Sequence, residues 1–217
     1  MTDATERDML YDMVRRFARE HIAPHVTAWD EAGEFPRQLY RQAAELGLLG
    51  IGYPQELGGT VATHGLRAVL WLALCRHGGS GGVLASLLSH NIGLPPVVAL
   101  GSDALKKQVV PDVLAGRKIA ALAITEPGGG SDVAALRTRA RRDGNEYVIE
   151  GEKTFITSGM RADWITVAVR TGEQRGASGI SLILVPGESA GLRRSQLHKM
   201  GWQCSDTAHL FFDGVRV

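Results

Sequence analysis

Ile124, Thr125, Glu126, Pro127, Gly128, Gly129, Gly130, Ser131 and Asp132 form the stretch whose residue types bear most directly on chemistry. An apolar run feeds a glycine-rich turn with hydroxyls on both sides. Three consecutive glycines carry no Cβ, so a flat or phosphorylated ligand can approach the backbone closely. Successive N–H groups in such a turn can form an anion nest. The same letters also suit an ordinary surface turn. A second stretch runs from Lys153 through Thr154, Phe155, Ile156, Thr157 and Ser158 to Gly159. Strand alternation places Phe155 and Thr157 on one face. A ring beside a hydroxyl suits a planar heteroaromatic ligand, which packs on the ring and bonds the hydroxyl at its polar edge. A core aromatic next to a strand threonine is the plainer reading of that pair.

Two nucleotide-binding patterns are excluded. Gly128-x-Gly130 is followed by Val133 where a dinucleotide fingerprint needs its third glycine, and no crossover helix follows. Gly151-Glu152-Lys153-Thr154 lacks the adjacent glycine and lysine of a phosphate-binding P-loop.

The elements that must position these stretches change period along the chain. From Asp3 to His21, Met9, Leu10, Met13, Val14 and Phe17 share one helical face. Asp3 with Glu6 resembles a capping box, and Pro24 ends or bends that helix. Further helices are predicted from Arg37 to Leu46, stopped by Gly47, and from Thr63 to His77, Val83 to Ser89 and Asp103 to Leu114, the last with Pro111 inside it. From Lys118 the pattern becomes short β-branched and aromatic runs: Ile119 to Thr125, Thr138 to Arg142, Tyr147 to Ile149, Glu152 to Thr157, Trp164 to Arg170, Gly179 to Val185 and His209 to Phe212. Asp143-Gly144 is a hairpin turn signal. Helices followed by strands without interleaving predict an α+β chain: an all-helical domain over residues 1–117, then an antiparallel β-barrel-like domain over residues 118–217.

Composition narrows the function classes. The chain has 217 residues, 44% hydrophobic and 22% charged, which is ordinary for a soluble globular protein. Its 24 basic and 23 acidic residues leave a formal net charge of +1, so no basic excess argues for nucleic acid or an anionic membrane surface. The apolar stretches are too short for a membrane span. Met1 to Glu20 carries charges throughout and no apolar signal core. With Cys75 and Cys204 outside any disulfide or zinc pattern, a cytoplasmic location is expected.

Other signals lead to blander readings. His21 and His25 stand four apart, but Pro24 intervenes and no third ligand is evident, so no metal site is expected. Gly78-Gly79-Ser80-Gly81-Gly82 fits the nucleophile-elbow letters, yet a helix precedes it where an elbow needs a strand; a break between helices is expected. Cys204 is expected to be a small buried residue. Arg137, Arg139, Arg141 and Arg142 read as a solvated strand face, with a role at the phosphates of a ligand as the sharper alternative.

Taken together, the motifs resemble the acyl-CoA dehydrogenase family. The resemblance is carried by Pro54-Gln55-Glu56-Leu57-Gly58-Gly59, by Thr125-Glu126-Pro127 with Gly130-Ser131-Asp132, by Gly151 to Gly159, by Ala162-Asp163-Trp164, and by Lys199-Met200-Gly201-Trp202 with Ser205-Asp206-Thr207, Phe211 and Val215. These motifs cover essentially the whole chain in the family's order, and agreement across independent stretches is more specific than any one of them.

The resemblance implies FAD as cofactor and α,β-dehydrogenation of an acyl-CoA thioester to the 2-enoyl-CoA, as in the β-oxidation of fatty acids. Leu122, Ile124, Thr125, Gly130 and Ser131 resemble the first flavin-contacting segment, and Phe155, Ile156 and Thr157 the second. Thr125 and Thr157 would bond the polar edge of the ring, and Ser131 would also touch the substrate's pantetheine arm. Many members carry tryptophan where this chain has Phe155. The reaction needs a base of raised pKa in a dry site and donors for the developing enolate charge. The family's glutamate base lies on a C-terminal helical bundle, so no catalytic residue is expected here and the base is expected beyond Val217; Glu126 is expected to be structural. The resemblance also implies an electron-transfer flavoprotein as acceptor and a homotetramer at full length. The alternatives are a flavin- or partner-binding remnant without turnover, and a flavin oxidase or monooxygenase of the same fold.

Overall fold

The computed structural model describes residues 3–174 and 176–217. They form two compact units. The first holds the chain up to Leu88 with Lys106–Lys118 and Lys199–Ser205; the second holds Ser89–Leu105, Ile119–His198 and Asp206–Val217.

The first unit is helical. α1 (Asp3–His21) buries Val14, Phe17 and Ala18 and packs along α4 (His64–Gly78). The capping box expected at Asp3 lies outside the described side chains. α2 (Val26–Ala32), unforeseen in the sequence, buries none of its residues. α3 (Gln38–Glu45) is followed by Gly47, whose φ of 72° is the left-handed turn expected of a helix stop. Thr63 caps α4 by accepting the Leu66 N–H at 3.3 Å. Ser80 caps α5 (Gly81–Leu87) by accepting the Val83 N–H at 3.1 Å, so the glycine-serine run is a helix break as expected.

The second unit is built on a sheet. Its strands are β1 (Ala120–Ala123), β2 (Arg139–Asp143), β3 (Glu146–Thr157), β4 (Trp164–Arg170), β5 (Ile180–Pro186), β6 (Leu192–Gln196) and β7 (Thr207–Arg216). Their order is β1-β4-β2-β3-β7-β6, with β5 on the other edge of β4. The two runs expected on either side of Gly151 are one continuous strand, β3. The sheet is also mixed: β1 and β2 run parallel to β4, where antiparallel pairing was expected. A hairpin forces antiparallel neighbours, but β1 reaches β4 through a long connection and is free of that constraint. The result is a curled, half-barrel sheet.

β4 is buried on both faces. Ile165, Val167 and Val169 enter the core with Ile149, Ile156, Leu210 and Phe212. Thr166 points the other way and donates to the Gly93 carbonyl at 2.7 Å, at the end of the short helix α6 (His90–Gly93). Ser89 donates to Ala120 O at 3.0 Å. These bonds satisfy polar atoms that burial would otherwise leave unpaired. Among the described residues no single helix is long and apolar enough to cross a membrane.

Candidate functional site

The edges of β3 and β4 create the site's frame. β1 pairs with β4 from Trp164 to Val167, and β2 rejoins the same strand at Arg170. β2 also pairs with the first part of β3, up to Glu150. Farther along β3, the Thr154 N–H donates to the Thr125 carbonyl at 2.8 Å. The chain therefore leaves the sheet after Thr125, makes its glycine turn, and returns as β2 between the same neighbours. The start of β1 is pinned by Asp163, whose carboxylate accepts the Ile119 N–H at 2.8 Å.

One buried ion pair stands directly beside this exit point. Lys153 is fully buried, and its Nζ donates to Glu126 Oε1 at 2.8 Å and to Ile124 O at 2.9 Å. Glu126 in turn accepts the Arg137 N–H at 2.6 Å and the Thr138 N–H at 2.9 Å. Burial works against the charge on Glu126, but the bonds from Lys153, Thr138 and Arg137 outweigh it and hold the carboxyl below its ordinary value. Burial pulls the Lys153 ammonium down, and Glu126 opposes that pull. Glu126 thus accepts from three donors on two different segments. Lys153 was not singled out from sequence; its signal is a lysine at an inward position of an otherwise β-forming run.

The predicted cofactor residues divide by exposure. Leu122, Ile124, Thr125 and Thr157 are half-buried, while Gly130 and Ser131 are exposed. Ile156 is buried in the core, which leaves its backbone to face a ligand. Phe155 is 69% exposed and has φ of 58°, at a point where the pairing of β3 with β7 slips between Lys153 and Ile156. This bulge, rather than plain alternation, sets the direction of the Phe155 ring. Ser158 also has a positive φ, 60°. It is held there by its N–H to Asp206 O at 2.9 Å and its hydroxyl to Ser89 Oγ at 3.1 Å. Thr157 therefore sits between two residues of positive φ, of which Ser158 is braced by hydrogen bonds.

The glycine turn closes on itself: Glu126 N–H donates to Gly129 O at 3.1 Å and Gly129 N–H to Glu126 O at 3.0 Å. Gly129's N–H is committed to the turn, which narrows the nest the letters suggested. A Cβ on Gly128 or Gly129 would meet open space, whereas one on Gly130 would come within 3.0 Å of Thr125 Cγ2. A cleft of about 430 Å³ opens beside the turn, lined in part by Pro127, Gly128, Arg137, Thr138 and Gly151. None of the eight predicted cofactor residues lines it.

The residue types present suit a flat cofactor. An uncovered aromatic ring, two half-buried threonines and a turn without side chains supply the apolar contact, the edge donors and the close approach such a group needs. The histidines set aside from sequence pack on rings instead, His21 against Phe17 and His25 against Trp29. Cys204 is buried, and its N–H donates to Asp30 Oδ1 at 2.9 Å.

Comparison with known proteins agrees with this arrangement. Residues 4–117 match the acyl-CoA dehydrogenase N-terminal domain and residues 121–215 the acyl-CoA dehydrogenase middle domain. The chain belongs to the acyl-CoA dehydrogenase family. It is 38% identical over 217 residues to the mitochondrial long-chain specific acyl-CoA dehydrogenase of Sus scrofa, which covers 99% of this chain and 50% of that protein. A probable acyl-CoA dehydrogenase from Mycobacterium abscessus superposes with a TM-score of 0.95 at 52% identity, over 98% of this chain and 56% of that one. A glutaryl-CoA dehydrogenase from Mycobacterium smegmatis, solved in complex with FADH2, superposes with a TM-score of 0.87 at 28% identity, over 100% of this chain and 54% of that one. The chain spans about half the length of the curated relatives it matches.

Proposed function

We propose that this chain forms the flavin- and thioester-facing part of an enzyme that converts an acyl-CoA to its 2-enoyl-CoA. The observation that carries the reading is the bond between Thr125, just after β1, and Thr154 of β3, beside an exposed Phe155. FAD, when bound, would take up the hydride from the β-carbon of the substrate. Thr125 and Thr157 would hydrogen-bond the polar edge of its ring and fix its orientation. Phe155 would cover apolar ring surface and exclude water from it. The side-chain-free turn would let the ribityl and phosphate portion run close to Gly130 and Ser131, with Ser131 also touching the pantetheine arm of the thioester. The base that takes the α-proton is proposed to lie outside these residues. A catalytic base needs a carboxyl held upward in a dry pocket, and Glu126 is held downward by three donors. The relative solved with FADH2 supports the cofactor assignment. An electron-transfer flavoprotein as acceptor and a tetrameric full-length assembly are proposed on family membership.

Titration of the chain with FAD, followed by flavin fluorescence and visible absorbance, tests the reading. Saturable binding that weakens about tenfold or more in Thr125→Ala and Thr157→Ala is expected, since each removes a hydrogen bond to the ring. Binding indifferent to both substitutions would refute the placement of the ring.

A further inference from the structure

Resting on the flavin reading above, we infer that Lys153 and Glu126 are a positioning pair whose task is to hold the cofactor-facing loop, and that cofactor affinity depends on them although neither faces the cofactor. Three consecutive residues are tied to β3 at this point. Ile124 gives its carbonyl to Lys153 Nζ, Thr125 gives its carbonyl to the Thr154 N–H, and Glu126 gives its carboxylate to Lys153 Nζ. The ammonium group thus brackets Thr125 from both sides.

Glu126 extends the hold to the far end of the loop. Its two oxygens accept the Arg137 and Thr138 N–H groups, where the chain re-enters the sheet. Thr138 adds a bond from its hydroxyl to Glu152 O at 3.0 Å. The loop from Pro127 to Leu136, which carries Gly130 and Ser131, therefore leaves from and returns to one carboxylate. A loop with a glycine triplet has high intrinsic freedom, so fixing both of its ends lowers the entropy lost when a ligand orders it.

Stability alone does not account for an ion pair here. Burying two charges costs more than their attraction commonly returns, and an apolar pair of similar volume often serves stability equally well. The pair's distinctive contribution is geometric: a cation with several donors reaches a carbonyl and a carboxylate at once, which no apolar side chain can do.

The test uses Lys153→Met, Glu126→Gln and the double variant. The double variant removes both charges at near-constant volume, so it is expected to fold with a melting temperature close to the parent's even where a single variant does not. Its Kd for FAD is expected to rise about tenfold or more, and the absorbance envelope of the bound flavin to shift, because the loop is no longer held. A double variant that melts with the parent and binds FAD within about twofold, with the same spectrum, overturns the inference. Amide exchange at Arg137, Thr138 and Thr154 reads the tether without any flavin. Exchange at least about tenfold faster in the double variant, with the rest of β3 and β7 unchanged, is expected. Unchanged exchange overturns the tether itself. A parent chain that takes up no FAD while these amides respond overturns the cofactor reading and, with it, the link from tether to affinity.

Discussion

Gly130 has no room for a side chain on the side that faces Thr125. A methyl group there would sit 3.0 Å from Thr125 Cγ2, closer than side chains ordinarily approach. Its backbone is not in the left-handed region, so the cost falls on Thr125 rather than on the turn. Gly130→Ala is therefore expected to rotate the Thr125 side chain and weaken FAD binding about tenfold while moving the melting temperature by no more than about 2 °C. Flavin titration beside a thermal melt checks both halves. Glu126 makes a second prediction, about acid. Its folded-state carboxyl is held below the ordinary glutamate value of about 4.3, so its contribution to stability is present above that value. It is lost as pH falls through the lower folded value. Amide protection at Arg137 and Thr138 should accordingly hold from neutrality down to the ordinary glutamate range and fail only below it, earlier than protection in the apolar stretch of β4. Protection that fades already near neutrality would argue against an ionised Glu126. The threonines, the glycines and Phe155 stand out in the sequence by type, but the bulge that turns Phe155 does not follow from strand alternation. Lys153 does not stand out, because a lysine in a strand usually faces water, and only the partner across the sheet reveals why this one is buried.

At the scale of elements, the tight approach of α6 to β1 offers the sharpest test. A Cβ on Gly93 would lie 2.8 Å from the Ala121 carbonyl oxygen, a backbone atom that cannot rotate away. Gly93 also accepts the Thr166 hydroxyl at 2.7 Å. Gly93→Ala is expected to push α6 off β1, strain that bond and cost about 1–3 kcal/mol, read as a fall in denaturation midpoint. Thr166→Val, which deletes the bond but keeps the shape, should cost about 1 kcal/mol and leave α6 in place. Equal stability in the Gly93 variant would mean the helix is not seated as described. The long helices were readable from their 3.6-residue period, and β4 from its β-branched run. α2 was not, because it buries nothing and has no side-chain cap at His25. β6 was missed for a related reason: Leu192–Gln196 is polar and pairs only with β7, so it has neither alternation nor burial to announce it. The parallel pairing of β1 with β4 was also beyond reach, since register across a long connection is decided by the partner strand and not by local sequence.

For the whole molecule, the balance of the site matters more than any one residue. The groups proposed to orient the cofactor lie on one unit: two threonine hydroxyls, an exposed phenylalanine and the glycine loop. The base proposed to take a proton from the substrate lies outside this set. Glu126 is the carboxylate nearest to the proposed cofactor segment in sequence, and its oxygens are already occupied by Lys153, Arg137 and Thr138. Binding without proton abstraction lowers no barrier, because the enolate-like charge has no base to generate it. Residues 1–217, supplied with FAD and a saturated acyl-CoA, are therefore expected to form no 2-enoyl-CoA above the uncatalysed background. Product should appear when the C-terminal half of a family member, carrying its helical bundle, is added, and FAD affinity should rise with it. Chromatographic detection of the enoyl thioester and a parallel flavin titration read the two effects separately. Enoyl-CoA from the chain alone would place the base among these residues, and the search for it would begin with the carboxylates nearest the thioester rather than with Glu126.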